Sequence, residues 1–483
     1  MRVFVLPLLL LFCCVAHAEE KFEKPLVRVV DLNIGEMQEA TLNNGETCKI
    51  ELLEVREERD RVMHAIRQVE VDVKVNGEKA TLVSGLYRLP RLVGGVQIDC
   101  PVTVNYNKDS HINHWGVVKH ARFRLWPKDS AWIRPNSFVY PVGQRWFASQ
   151  TWFSNEAVSS RSGGKFYYHA GLDLGASEHL TPVLAATDGR VVSVAGHSED
   201  NLPKTAVSPR YDVVYLQDNR GWYYRYSHLS AISTPVRLGA IVKAGQPIGV
   251  VGKEGGSGGW THLHFEIKSL QSSGQWGTQD GYAFLWQANR QQHSPEVVAV
   301  ARPRHLALVG EKVTLDASHS WSSTSIRSYH WKFSDGTTAS GESVQRVYRR
   351  PGFYNEILTV TDVKGNSDVD FAIVKVIPEG GTWNSVPTIH ATYHPSIGVR
   401  TGDPIVFKVR ARYTVEGLDV WDYGDGSPKE TVRSNTDTST HAWDGVGYAS
   451  TKHRFQKPGR YIVTVSRKTP LGTITDRLVV RVE

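Results

Sequence analysis

The sequence predicts a mostly β, multidomain protein, and three observations lead to that prediction. Glycine and proline, 42 and 22 of 483 residues, suit a turn-rich β protein better than a helical bundle. Apolar and polar residues alternate in short runs such as 71–75, as in strands with one buried face. A tryptophan motif at residue 331 recurs 90 residues later. At about 100–200 residues per domain, the length implies three or four domains.

Residues 1–18 have the features of a secretory signal peptide. Arg2 supplies a positive end, 3–15 is an apolar run too short to span a bilayer, and Ala16-His17-Ala18 fits a cleavage site. The alternative, a buried N-terminal strand, suits this extreme terminal position less well. We therefore expect cleavage after Ala18, a secreted or periplasmic mature protein of 465 residues, and no transmembrane segment in it.

Two cysteines remain after the signal is removed. Cys48 and Cys100 are an even number in an oxidising compartment, which predicts a disulfide closing a 52-residue loop. Such a bridge would stabilise the fold by roughly 4 kcal/mol on the chain-entropy view. The alternative is a pair of buried thiols.

The net charge of +7 falls to +6 without the signal, and the basic residues are spread along the chain. This distribution argues against nucleic-acid binding and allows weak attraction to anionic polymers.

Residues 19–130 read as a β-rich N-terminal domain. Its charged stretch Glu51–Glu70 fits either a helix or a long β-ribbon. His111, His114 and His120 could form a metal site, but we interpret them as scattered surface histidines.

Residues 131–292 contain three fragments whose side chains could bind a metal or take part in catalysis: 169–173, 226–229 and 262–266. Alternation along a strand places His262 and His264 on one face, with the intervening apolar residues on the other. Two imidazoles and one carboxylate make an open zinc site, in which the fourth position holds a water of lowered pKa. Further histidines would serve as general base and transition-state donor. The alternative is a set of hydrogen-bonded core histidines.

This segment, from about 140 to 268, resembles the M23 (lysostaphin/LytM-type) zinc metallopeptidases, whose catalytic domain is an antiparallel β-sheet. The matching motifs are His169-Ala-Gly-Leu-Asp173, Pro182-Val-Leu-Ala185, Asp188-Gly-Arg-Val191, Tyr226-Ser-His-Leu229, Gly245-Gln-Pro-Ile-Gly249 and His262-Leu-His-Phe-Glu266. The resemblance implies one Zn²⁺ per chain, bound by His169, Asp173 and His264, with His228 and His262 catalytic. The sequence departs from the family pattern at 152–155 and has an apparent insertion at 197–210, in a loop beside the groove.

Residues 296–377 and 384–483 form an internal repeat. Trp331 and Trp421 each precede an Asp-Gly pair by the same spacing, and each unit then has Pro-Gly-x-Tyr, at 351–354 and 458–461. The units resemble PKD domains, which implies two immunoglobulin-like β-sandwiches. We expect both tryptophans to be structural, and we interpret His390 and His394 as surface residues.

The resulting expectation is an exported zinc metalloendopeptidase that hydrolyses peptidoglycan stems or cross-bridges. The alternatives are an exported protease on protein substrates and a non-catalytic LytM-type regulator of wall hydrolases. The PKD-like units are expected to bind a polymer or protein, to bury their own cores, and to share few contacts with the catalytic unit across Ser294-Pro295.

Overall fold

The computed structural model describes residues 22–110, 112–159, 166–414, 417–434 and 447–483, so the predicted signal and His111 lie outside the described residues. Strands dominate throughout these ranges, which confirms the prediction of a mostly β, multidomain protein. No helix among the described residues is long and apolar enough to cross a membrane.

The N-terminal region consists of two four-stranded antiparallel sheets around one shared core. Its elements are β1 (Arg28–Leu32), β2 (Met37–Thr41), β3 (Thr47–Arg59), β4 (Ile66–Val75), β5 (Glu78–Val83), β6 (Arg91–Val93), β7 (Val96–Thr103), α1 (Val104–Ser110) and β8 (Ala121–Pro127). The sheets have the orders β1-β8-β7-β6 and β2-β3-β4-β5. The charged stretch Glu51–Glu70 is therefore a β-ribbon, because alternation buries one of its faces while ion pairs such as Arg56–Asp72 lie on the other.

The predicted disulfide between Cys48 and Cys100 is not formed. Both residues are free thiols, buried in the same apolar core, with Cys48 on β3 of one sheet and Cys100 on β7 of the other. The Cys100 Sγ lies 3.7 Å from the carbonyl oxygen of Val102, and burial raises the pKa of this thiol to about 12. An apolar environment that favours the neutral thiol lets each cysteine pack as a small hydrophobic residue.

The central region is built on one large antiparallel sheet. Its elements are β9 (Thr151–Trp152), β10 (Ala157–Ser159), β11 (Phe166–Tyr168), β12 (Leu172–Gly175), β13 (Pro182–Leu184), β14 (Gly189–Val194), β15 (His197–Ser198), β16 (Val214–Gln217), β17 (Tyr223–Ser227), β18 (Leu229–Ile232), β19 (Ile241–Val242), β20 (Pro247–Val251), β21 (His262–Leu270), β22 (Trp276–Gln279) and α2 (Tyr282–His293). The large sheet has the order β15-β14-β16-β17-β21-β12-β9, and β13-β20-β18 form a smaller one. Strand β21 thus lies between β17 and β12, with Leu263 and Phe265 in the core.

Two β-sandwiches follow. The first contains β23 (Val297–Val298), β24 (His305–Leu308), β25 (Lys312–Asp316), β26 (Trp321–Ser322), β27 (Ile326–Lys332), β28 (Thr338–Ser340), β29 (Ser343–Val347), β30 (Gly352–Asp362) and β31 (Ser367–Ile377). After a 3₁₀ turn at Trp383–Ser385, the second contains β32 (Thr388–His394), β33 (Ile405–Arg412), β34 (Gly417–Asp422), β35 (Glu430–Ser434), β36 (Ala449–His453), β37 (Gly459–Thr469) and β38 (Gly472–Val482). Trp331 and Trp421 are fully buried, one in each unit, which confirms their structural role.

The sandwiches pack closely against the central region, contrary to the expectation of few contacts across Ser294-Pro295. Buried hydrogen bonds cross the interface, including Gln150 Nε2 to Asp476 Oδ2 (2.7 Å) and Ser177 Oγ to Thr392 Oγ1 (2.9 Å). Arg302 also donates to Thr151 Oγ1 (2.6 Å). All six of these residues are buried, so the interface contributes satisfied polar contacts to stability.

Candidate metal centre

Strand register brings the candidate ligands together. Asp173 on β12 is directly opposite His264 on β21, and His262 is opposite Gly175 in the same ladder. His169 lies in the loop between β11 and β12, four residues before Asp173. The alternation that the sequence predicted for His262 and His264 is present, since both line one cleft while the residues between and after them are in the core.

The donor atoms of His169, Asp173 and His264 form a small triangle. The Asp173 Oδ1 is 3.0 Å from His169 Nε2 and 2.8 Å from His264 Nδ1, and those two nitrogens are 3.1 Å apart. A tetrahedral zinc site with ligand bonds near 2.0–2.1 Å has edges of about 3.3 Å. The donor set and its spacing therefore fit one zinc ion.

Burial and the short contacts between the three residues of the triangle shift their pKa values. Burial alone would raise the pKa of Asp173, but His169 and His262 outweigh it and hold that pKa well below its usual value. Burial lowers the pKa of His264 to about 3, whereas at His169 the carboxylate outweighs burial and raises the pKa. An ionised carboxylate at this depth requires a positive partner, which a divalent metal supplies when bound.

Two backbone features hold His169 in position. Its N–H donates to the carbonyl of Glu156 (3.0 Å), and its carbonyl accepts from the N–H of Asn155 (2.8 Å). Gly171 follows with φ of +97°, and a Cβ there would lie 2.8 Å from the carbonyl oxygen of Phe265. Only glycine combines this backbone conformation with such a close approach to β21.

His228 faces the triangle from the turn between β17 and β18. Its backbone N–H donates to Asp212 Oδ2 (3.0 Å), and its Nδ1 lies 2.6 Å from the carbonyl of Glu254. Since a carbonyl only accepts, Nδ1 carries the proton and Nε2 has its lone pair available. Burial lowers the pKa of His228 to about 4, so the ring is neutral.

Both ring nitrogens of His262 face oxygen acceptors. Its Nδ1 lies 3.1 Å from the carbonyl of Trp260, and its Nε2 is 3.3 Å from Asp173 Oδ2. The rings of His228 and His262 are 4.7 Å apart, so two imidazoles lie side by side next to the candidate ligands. Trp260 stacks on His262 with ring centroids 4.0 Å apart and restricts its rotation.

The site opens into a cleft of about 960 Å³ with walls from three regions. The central region contributes Trp152, Tyr167 and Trp260, and Arg210 reaches the cleft from the end of the predicted insertion at 197–210. A second wall comes from the sandwiches and the turn between them, with Arg304, Lys375, Trp383, His390, Arg412 and Tyr413. The sequence motifs carried no signal for this second wall, because its residues are distant in the chain.

The surface assignments of three histidines need correction. His390 is 7% exposed, has its Nε2 3.0 Å from Ser149 Oγ, and packs edge-on against Trp260. His394 is half-buried, 3.4 Å from Thr181 Oγ1, so both lie at the interface. His114 lines the cleft, and burial lowers its pKa, whereas His120 is exposed as expected. The four-residue spacing of His390 and His394 and the proline after His394 are local features, so they gave no information on these packing contacts.

Comparison with protein families identifies two parts of the chain. Residues 167–275 match the model of peptidase family M23, and residues 292–376 match the model of the PKD domain. The chain is therefore a multidomain protein with an M23 metallopeptidase domain and a PKD domain. The M23 match covers the triangle, both further histidines and the Gly-rich loop at 255–259.

Solved structures of three other proteins resemble parts of the chain. A mutant catalytic domain of the prophage-encoded M23 protein EnpA from Enterococcus faecalis is 26% identical, over 28% of this chain and 92% of that one, with a TM-score of 0.20. A zinc-containing peptidase from Vibrio cholerae is 17% identical, over 47% and 84%, with a TM-score of 0.22. Csd3 from Helicobacter pylori is 17% identical, over 50% and 82%, with a TM-score of 0.20.

Proposed function

We propose that the protein is an exported zinc metalloendopeptidase that hydrolyses peptide bonds in peptidoglycan stems or cross-bridges. The observation that carries the proposal is the convergence of His169, Asp173 and His264 beside two further imidazoles at one end of a peptide-sized cleft. We assign the three residues of the triangle as metal ligands. We assign His228 and His262 as the catalytic pair.

Zinc, when bound, supplies a Lewis acid and a water molecule of lowered pKa. The chain's own residues then have two tasks. One is to accept and return a proton, and the other is to donate a hydrogen bond to the oxygen that becomes negative as the carbonyl is attacked. The Nε2 atom of His228 is suited to accept a proton, because the Nδ1 proton of that ring is committed to a backbone carbonyl, and it can donate a hydrogen bond once it is protonated. Both nitrogens of His262 face oxygen acceptors, so its Nε2 atom can donate when it carries the proton. The tautomer of the His228 ring is thus fixed before substrate arrives.

The walls orient the substrate. Trp152, Tyr167 and Trp260 offer flat apolar faces, while Arg210 and Arg225 offer hydrogen-bond donors. A cleft closed on two sides also excludes water from the reacting bond, which strengthens every charge interaction near it. An extended peptide fits such a groove better than a folded protein does, which favours a wall peptide over a protein substrate.

The test uses purified mature protein with intact peptidoglycan sacculi, with and without a chelator, and mass spectrometry of the released products. We expect new amino termini within stems or cross-bridges, their loss on chelation and their return when zinc is added. A His228→Ala variant loaded with zinc serves as the inactive control. Release of no peptide from sacculi, together with cleavage of an unfolded protein substrate, would assign the enzyme to proteins. Absence of both activities in the zinc-loaded enzyme would support the regulator alternative.

A further inference from the structure

A buried lysine lies in the cleft wall that the sandwiches contribute. Lys375 is on β31, where Val374 and Val376 point into the core of the first sandwich and Lys375 points the other way, into the cleft. It is 1% exposed, and its Nζ has no hydrogen-bond partner among the described residues. An ammonium group in this state has lost its water without gaining an acceptor, which is strongly unfavourable.

The contacts that Lys375 does make are with aromatic rings. Its Nζ lies 4.1 Å from the ring centroid of Trp383 and 5.1 Å from that of Tyr413, and both rings also line the cleft. Ring faces attract a cation, but they leave its three N–H donors without acceptors. The rings therefore hold the ammonium group at the cleft without satisfying it.

The neighbouring charges are also positive. Burial, with Arg304 and Arg412, lowers the pKa of Lys375 well below its usual value. Arg304 packs over Trp152 and donates to Gln150 Oε1 (2.8 Å), and the Arg412 guanidinium donates to the carbonyl of Gly258. Three basic side chains from the two sandwiches thus gather at one wall, and an anion bound beside them would favour the protonated form of Lys375.

The carboxylates of the cleft are committed elsewhere. Among the described residues that line it, the only acidic ones are Asp173, in the candidate metal centre, and Glu266. Glu266 accepts from Thr278 Oγ1 (2.9 Å) and lies 3.6 Å from both Arg225 and Lys268. Among these lining residues, Lys375 therefore has no acidic partner, and a ligand is the remaining source of one.

We propose that Lys375, flanked by Arg304 and Arg412, is a carboxylate-binding subsite through which the C-terminal sandwiches select peptides that carry an acidic group near the scissile bond. The proposal rests on the proposed function in that the ligand is a peptide in this cleft. A peptide carboxylate would accept hydrogen bonds from the ammonium group and neutralise the wall. Selection by the sandwiches would explain why they close the cleft.

The experiment compares two capped tetrapeptides, Ala-Glu-Lys-Ala and Ala-Gln-Lys-Ala, which differ only in one charge. Binding is measured by calorimetry on the zinc-loaded full-length mature protein in a His228→Ala background, so that hydrolysis does not interfere. We expect the acidic peptide to bind at least about tenfold more tightly, as for a charged hydrogen bond replacing a neutral one. Lys375→Met should reduce this preference to within about twofold, and Lys375→Arg should keep it.

Lys332→Met is the matched control, because Lys332 is an exposed lysine of the same sandwich. It should keep the full preference. Lys375→Met removes a buried amine that has no hydrogen-bond partner among the described residues, so its thermal unfolding should show an intact fold. Equal binding of both peptides by the parent protein, which needs no variant, would overturn the proposal, as would an unchanged preference in Lys375→Met. Failure of sacculus hydrolysis would instead overturn the peptidoglycan substrate and leave the charge preference intact.

Discussion

The two carboxylate oxygens of Asp173 lie within 3.3 Å of ring nitrogens of three histidines, so this one side chain contacts three imidazoles. In the proposed site it would supply the negative charge that offsets a divalent metal, and its Oδ2 atom lies 3.3 Å from His262 Nε2. This carboxylate is therefore the proposed link between metal binding and the assigned catalytic pair.

Asp173→Ala should bind much less than one zinc per chain, because the anionic ligand is lost and two neutral imidazoles remain. The measurement is metal content by plasma mass spectrometry after dialysis against a weak chelator. Asp188→Ala is the control, since Asp188 is exposed and pairs with Lys243 in the same region. Full occupancy in Asp173→Ala would contradict the ligand assignment.

His228→Ala should retain its zinc and lose about 10²–10⁴-fold in turnover, the usual range for a group that moves a proton or stabilises the transition state. The exposed His197 provides a control variant, His197→Ala, with unchanged rates. Metal content and rate are measured on the same preparation. If both fall together in His228→Ala, the residue is a ligand.

At the scale of elements, strand β21 carries one proposed metal ligand, His264, and one proposed catalytic residue, His262. His262 and His264 project to the cleft from alternate positions, and β12 and β17 hold β21 from both sides. The loop from His169 to Asp173 must pass close to β21, which is possible because Gly171 has no side chain.

Gly171→Ala should therefore lower zinc occupancy and destabilise the fold by about 1–3 kcal/mol or more, from backbone strain together with the contact with Phe265. Gly245→Ala is the control that separates backbone strain from the close contact. Gly245 has φ of +82°, similar to that of Gly171, but a Cβ there would meet nothing within 4 Å. Thermal unfolding and metal content of both variants check the prediction. Equal effects in the two variants would show that the close approach is unimportant.

At the scale of the whole molecule, the sandwiches are part of the cleft. His390 supports Trp260, which stacks on His262, and Arg410 and Arg412 donate to the carbonyls of Gly259 and Gly258 in the adjoining loop. The central region and the sandwiches thus share polar contacts across their interface.

Deletion of residues 296–483 should therefore lower the thermal midpoint of the remaining protein and weaken peptide binding, because buried groups such as Ser149 and Gln150 lose their partners. A shorter deletion, of 384–483, removes His390 and Arg412 but keeps Arg304 and Lys375. It should have an intermediate effect. A truncated protein with the thermal midpoint and peptide affinity of the full chain would show that the units are independent.

Asp476 makes the interface sensitive to pH. Burial raises its pKa to about 6, above the unfolded value of about 3.9. The folded state therefore binds more protons than the unfolded state between these values, so this group's contribution to stability is complete below about pH 4 and is lost as the pH rises through 6. Relative to Asp476→Asn, which does not titrate, the wild type should lose thermal stability from pH 4 to pH 7. A constant difference would contradict the raised pKa.

The sequence alone was sufficient for the fold class, which follows from local periodicity. Alternation sets which side chains share a face of a strand, so the residue pattern by itself places His262 and His264 together, whereas His169, Asp173 and His228 joined the candidate site through the resemblance to the M23 family. The tryptophans of the repeat were predictable for the same reason, since Asp-Gly turns and alternating strands are local signals.

The tertiary structure decided the rest. The free thiols of Cys48 and Cys100, the inward position of His390 and the unpaired ammonium of Lys375 all depend on how sheets distant in the chain pack against one another. Burial and the partners available at an interface are properties of that packing, and a single sequence contains no periodic signal for them. The sequence therefore indicated the candidate chemistry of the site, and tertiary packing determined which groups surround it.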